Sequence, residues 1–173
     1  NFPAKKHKEA FYLILNNNIN TTLHAGEVYG PKSIHQAIHV CGAHRIGHGT
    51  RAIEDIDLLN YINDHRIPLE ICLTSNINTK SVLSLSTHPF KHYINEKIRV
   101  TLNTDNRLIS NTTLSNEYKI AINNFNLNEN EIRTIIINGF KSAFLPHNKR
   151  RELIRKVADE LESEFNFSKH LII

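Results

Sequence analysis

The sequence predicts an α/β chain of four strand–helix units with parallel strands, half of a (β/α)8 barrel. Three observations predict it. Short β-branched or apolar runs alternate with longer runs in which apolar residues recur every three to four positions. The short runs end near residues 24, 48, 72 and 103, a spacing of about 24 to 31 residues, close to one barrel unit. Residues able to move protons or bind metal (His24, His48 and Asp105) stand at three of those ends, where barrels carry their chemistry. A doubly wound sheet is the alternative, but no glycine-rich phosphate loop follows the first strand.

The elements follow in order. Residues 4–17 predict a helix with Ala4, Phe11 and Leu15 on one face, stopped by the Asn16–Asn18 run. Thr21–Ala25 is a short β-branched strand. Gly30-Pro31 opens a second helix with proline in its first turn, turning Ile34, Ala37, Ile38 and Cys41 inward until Gly42 ends it. His44–Gly47 is the next strand, and a helix over 54–64 buries Ile56, Leu59 and Ile62 or their neighbours. Ile67–Leu73 reads as an apolar strand interrupted by Pro68 and Glu70. A long loop and a short helix starting near Pro89 lead to the strand Ile98–Asn103. Three helices close the chain near 113–125, 129–143 and 148–165. The second starts with an Asn128/Glu131 capping box, and the third carries Ile154, Val157, Leu161 and Phe165 on one face.

Composition narrows the function. With 173 residues, 40% apolar and 22% charged, the chain has the make-up of one globular domain. No apolar run approaches a membrane span, and no signal-peptide pattern opens the sequence. The net charge of +4 comes from clusters near Lys5–Lys8 and Lys149–Lys156 that alternate with apolar positions. They read as solvated helix faces rather than a nucleic-acid surface. Cys41 and Cys72 show no CxxC spacing and read as free buried thiols in a reducing compartment, with the cytoplasm expected. The sequence contains no methionine and opens on Asn1-Phe2-Pro3, which reads as a segment of something longer.

The strand-end residues make one chemical set. Zinc takes imidazole nitrogen and carboxylate oxygen, with one position left for water, whose pKa it lowers to about 7. His24 and Asp105 fit as ligands, His48 as the base, and Glu27, three residues beyond His24, as the acid. Taken singly, each has an ordinary structural reading: His24 a hydrogen-bonded histidine, Glu27 a helix cap, His48 a cramped strand end, Asp105 an Asx turn. Their joint occurrence at three strand ends favours the chemical one. His35 and His39, four apart, read as a solvated helix face; His65, His88, His92 and His147 belong to no constellation. Ser75 lacks the histidine and aspartate partners of a serine nucleophile.

His24-Ala-Gly-Glu27, Arg45-Ile-Gly-His48-Gly, Glu70-Ile-Cys-Leu-Thr-Ser-Asn76, His88-Pro-Phe90 and Asn103-Thr-Asp105-Asn106 follow one another in a pattern that resembles the adenosine deaminases. These are zinc-dependent (β/α)8 enzymes, TIM barrels of the amidohydrolase superfamily. The resemblance implies that His24 and Asp105 are zinc ligands. It makes Glu27 the proton donor to purine N1, and His48 the group that orients and deprotonates the attacking water. Asn106, where many members have a second aspartate, would bond purine N7, and Leu73 stands where a proline is usual. The implied reaction converts adenosine to inosine and ammonia in purine salvage. The family's His-x-His zinc ligands and its substrate-binding glycine find no match here. Residues 1–173 are therefore expected to be the carboxyl-terminal portion of one barrel domain, strands five to eight plus closing helices, requiring the amino-terminal half for a complete site. The alternatives are a related adenine or AMP deaminase, and a catalytically incompetent remnant or interaction module.

Overall fold

The computed structural model describes residues 3–165. Its centre is a parallel sheet of β1 (Thr22–Ala25), β2 (Arg45–His48), β3 (Leu69–Ile71) and β4 (Val100–Leu102), in that spatial order. Every strand is added to the same edge as its predecessor. That monotonic order is the arc of a barrel; a doubly wound sheet reverses direction at its switch point. Around the sheet run α1 (Lys8–Asn16), α2 (Pro31–His39), α3 (Ile56–Asp64), α4 (Leu73–Asn78) and α5 (Phe90–Asn95). Then follow α6 (Arg107–Ser110), α7 (Leu114–Phe125), α8 (Glu129–Lys141) and α9 (His147–Phe165).

The strand register sorts the side chains by a period of two. Leu23 pairs with Ile46, Ile46 with Leu69, Leu69 with Val100, and Ile71 with Leu102. This apolar row packs into one core with Ile34 and Ala37 of α2, Leu58, Leu59 and Ile62 of α3, and Phe90 and Tyr93 of α5. Each such aliphatic side chain contributes about 1.5–3 kcal/mol on burial. The alternate row is polar: Thr22 pairs with Arg45, Gly47 with Glu70, and Glu70 with Thr101. Glu70 ties three strands together, accepting from Thr22 Oγ1 and pairing with Arg45 Nε at 2.9 Å. A second cluster, Ile137, Val157, Ala158 and Leu161, joins α8 to α9. The side chain of Phe165, expected on that face, lies outside the described residues.

Most expected elements are present, with instructive shifts. The Asn128/Glu131 capping box forms, Pro31 stands in the first turn of α2, and both cysteines are free and buried. The first helix starts as a 3-10 turn over Ala4–His7 and buries no residue; its expected core face leaves Leu15 37% exposed. Ile56 does not face the core: Asp55 caps α3, and the helix phase that starts there buries Leu58 with Leu59 and Ile62. The strand expected to reach Leu73 stops at Ile71, and Leu73 opens α4 where a loop was expected. Leu73 is the first helical residue, a position proline also suits because its missing N–H would be unpaired there. The 3-10 turn Thr50–Glu54 and the short α6 were not expected either. Among the described residues, no helix is long and apolar enough to cross a membrane.

Candidate active site

The residues expected at the strand ends converge. His24 is the third residue of β1 and His48 the last of β2, and the register sets Gly47 beside His24. A Cβ on Gly47 would lie 3.1 Å from the His24 ring, so glycine makes room for the imidazole. Gly26 turns the chain at φ +68°, where a side chain would collide with Ile34, and thereby brings Glu27 back over the strand end. His48 and Asp105 adopt left-handed backbone, φ 67° and 53°, as non-glycine residues. Such conformations cost energy and concentrate at functional sites.

His48 Nε2 lies 3.1 Å from His24 Nδ1 and 3.4 Å from Glu27 Oε2. Glu27 is held from its other oxygen by the Thr79 hydroxyl, at 2.9 Å. Asp105 Oδ2 accepts from the Ser75 hydroxyl at 2.7 Å. Behind His48, its Nδ1 meets the Asn76 side-chain amide at 3.0 Å, and Asn76 Oδ1 meets His88 Nε2 at 3.2 Å. Burial pushes the His48 imidazole below its ordinary value, with the Glu27 charge opposing and His24 reinforcing that shift. Asn106 caps α6: its side-chain oxygen accepts from the Leu108 and Ile109 amides, both at 3.1 Å. Because those amides can only donate, the Asn106 oxygen is committed to them and its NH2 is turned away.

One imidazole or carboxylate atom from each of His24, His48 and Asp105 lies within 4.8 Å of the others, close enough for a metal to be shared. The donor chemistry fits zinc, with imidazole nitrogen and carboxylate oxygen both present. Two cavities each take one of these residues into their lining. One of about 690 Å³ is bounded by His24, Tyr29 and Ser33, and one of about 390 Å³ by Asn103, Asp105 and Arg107.

Sequence reasoning missed four neighbours of this cluster. Ser75, set aside as a nucleophile, holds Asp105; Thr79 holds Glu27; Asn76 holds His48. His88, read as belonging to no constellation, is 5% exposed and sits directly behind Asn76. For Ser75, Asn76 and His88 the only sequence signal was membership of the Glu70–Asn76 and His88–Phe90 motifs, and Thr79 lies outside both. His35 and His39 are exposed as expected, in a run of tilted ring contacts that continues to Tyr61, which stacks on His65.

Parallel strand–helix units with proton-moving and metal-capable side chains gathered at the strands' carboxyl ends define an α/β-barrel class of chain with a candidate catalytic centre. The adenosine deaminase family model matches residues 2–160, and the chain belongs to that family. Adenosine deaminase of Mycobacterium ulcerans is 41% identical over 167 residues, which cover 90% of this chain and 46% of that protein. The N6-methyl-AMP deaminase of Arabidopsis thaliana, in its apo structure, is 35% identical with a TM-score of 0.79, covering 90% of this chain and 45% of its own. An amidohydrolase of Burkholderia ambifaria, solved with bound zinc, shares the fold at a TM-score of 0.79 and 17% identity, covering 93% of this chain and 47% of its own. The chain spans about half the length of the relatives it matches, consistent with a carboxyl-terminal half.

Proposed function

We propose that residues 1–173 are the carboxyl-terminal portion of a single zinc-dependent adenosine deaminase barrel. The reaction is hydrolysis of adenosine, and by the same chemistry deoxyadenosine, to inosine and ammonia in purine salvage. The observation that carries this reading is the meeting of His24, His48 and Asp105 donor atoms within 4.8 Å, with Glu27 3.4 Å from His48.

His24 and Asp105 would hold the metal, which when bound supplies a water activated for attack. Two protein ligands are fewer than a catalytic zinc takes, so the remaining ligands come from the amino-terminal half of the barrel, the partner this chain requires. Glu27 gives its proton to purine N1, which makes C6 electrophilic. His48 faces the attacking water and fixes its line of approach. The Asn106 amide, its oxygen engaged by α6, donates to purine N7, an atom that can only accept. The atoms balance: water's oxygen ends on C6, one of its protons leaves with the amine as ammonia, and the other replaces the Glu27 proton delivered to N1. The buried thiols Cys41 and Cys72 suit a reducing cytoplasm.

The test measures zinc content and adenosine turnover on this chain alone and mixed with an amino-terminal barrel half. Stoichiometric zinc and inosine formation in the mixture are expected. If neither metal nor product were found, the reading of a catalytically incompetent remnant would replace it. Turnover of adenine or AMP in preference to adenosine would point instead to a related aminopurine deaminase.

A further inference from the structure

A backbone amide at the far side of the site determines which nitrogen of His48 carries its proton. Phe90 N–H, in the first turn of α5, points at His88 Nδ1 from 3.1 Å. A backbone N–H can only donate, so His88 Nδ1 must accept, and the neutral His88 ring carries its proton on Nε2. His88 Nε2–H then donates to Asn76 across 3.2 Å, so the Asn76 atom facing it is the oxygen. The Asn76 NH2 consequently faces His48 Nδ1, 3.0 Å away, and donates to it. His48 Nδ1 is left as an acceptor, and its proton stands on Nε2, directed at His24 Nδ1 and Glu27 Oε2.

Reversing the chain needs every link to turn at once. A proton on His48 Nδ1 would turn the Asn76 oxygen towards it and the NH2 towards His88. His88 would then need its proton on Nδ1, facing the Phe90 N–H, and two buried donors would oppose each other. Such an unmatched buried pair leaves a donor with the full penalty of its lost hydration. Asn76 is fully buried and His88 is 5% exposed, so water is not at hand to relieve it. Burial also pushes the His88 imidazole down to about 4, keeping the ring neutral at ordinary pH.

We propose that Asn76 and His88 are positioning residues that hold His48 in the tautomer with hydrogen on Nε2, so that His48 enters the reaction as a hydrogen-bond donor to the attacking oxygen. This rests on the deaminase reading for its purpose, though not for its geometry. The base that the family resemblance implies for His48 needs a lone pair on Nε2. The chain from Phe90 puts a proton there instead, and leaves proton carriage to Glu27.

The test is the nitrogen-15 spectrum of the histidine rings in the metal-free 173-residue chain, recorded at about pH 9, above the imidazole range. His48 is assigned by the signal that disappears in His48→Gln. In the parent chain His48 Nε2 is expected to bear the proton and Nδ1 to resonate as an unprotonated nitrogen. Asn76→Asp, which keeps the shape but replaces the donor by an acceptor, reverses the two. His88→Phe gives a mixture of both tautomers, and His88→Gln, which retains a donor towards Asn76, restores the parental pattern. A parental His48 protonated on Nδ1, or an Asn76→Asp spectrum unchanged from the parent, overturns the proposal. Because the readout uses neither zinc nor turnover, it stands or falls separately from the deaminase reading. In the assembled enzyme Asn76→Asp also lowers kcat by about 10–100-fold with KM little changed.

Discussion

The Ser75 hydroxyl donates to Asp105 Oδ2 at 2.7 Å, joining the first turn of α4 to the loop beyond β4 across 30 residues of sequence. One carboxylate oxygen is thereby held by a hydroxyl. Partners of this kind orient a metal ligand, and their loss typically weakens metal binding by about 10–100-fold. Ser75→Ala is therefore expected to lower zinc affinity by about tenfold, measured by chelator competition, while Asp105→Asn lowers it further.

Glu27 lies between the Thr79 hydroxyl and the His48 ring. With Glu27 in its proposed role as proton donor, substitution by glutamine, which keeps the shape but cannot give up a proton, is expected to lower kcat by about 10²–10⁴-fold. Zinc content should stay unchanged, because Glu27 is not among the proposed ligands. A Glu27→Gln enzyme with parental turnover would remove the residue from the mechanism.

Tyr93 holds the loop after β2 in place. Its hydroxyl donates towards the Gly49 and Thr50 carbonyls, each at 3.0 Å, and accepts from the Ile53 amide at 3.1 Å. Tyr93→Phe strands these backbone groups beside a fully buried ring and should cost about 2 kcal/mol of stability, read from urea unfolding. Because the loop begins directly after His48, the variant tests how far that loop supports the site.

Stability should fall with acid through His88. Burial places its folded pKa at about 4, below the ordinary histidine value of about 6.5. Between those values the unfolded chain binds more protons than the folded one, so stability rises with pH there. The contribution is complete above about pH 6.5 and is lost progressively as the pH falls towards 4, for a total of about 3 kcal/mol. Urea midpoints measured at several pH values across that window should show the slope. His88→Gln, which has no group titrating there, should flatten it.

Periodicity, turn residues and strand-end chemistry were enough to order the four units, to mark the Pro31 and Asn128/Glu131 helix starts, and to single out His24, Glu27, His48 and Asp105 as residues that the structure brings near one another. Those features are local: an apolar repeat names the face that seeks cover, and a cap lies within one helical turn of what it caps. Where the local signal was ambiguous the reading slipped, as at Leu73, an apolar residue that continues the strand pattern yet starts α4.

The sequence by itself determined which residues could do the chemistry and at which strand ends they stand. Only the tertiary structure decided how they are held. Ser75 to Asp105, Thr79 to Glu27 and Asn76 to His48 join different strand–helix units, and Asn76 to His88 closes the long segment between β3 and β4, so no spacing along the chain announces them. The left-handed backbone of His48 and Asp105 has the same origin, a strain that their local sequence does not favour and that packed neighbours must sustain. The direction of every proton behind His48 follows from one backbone amide at Phe90, brought there by the fold.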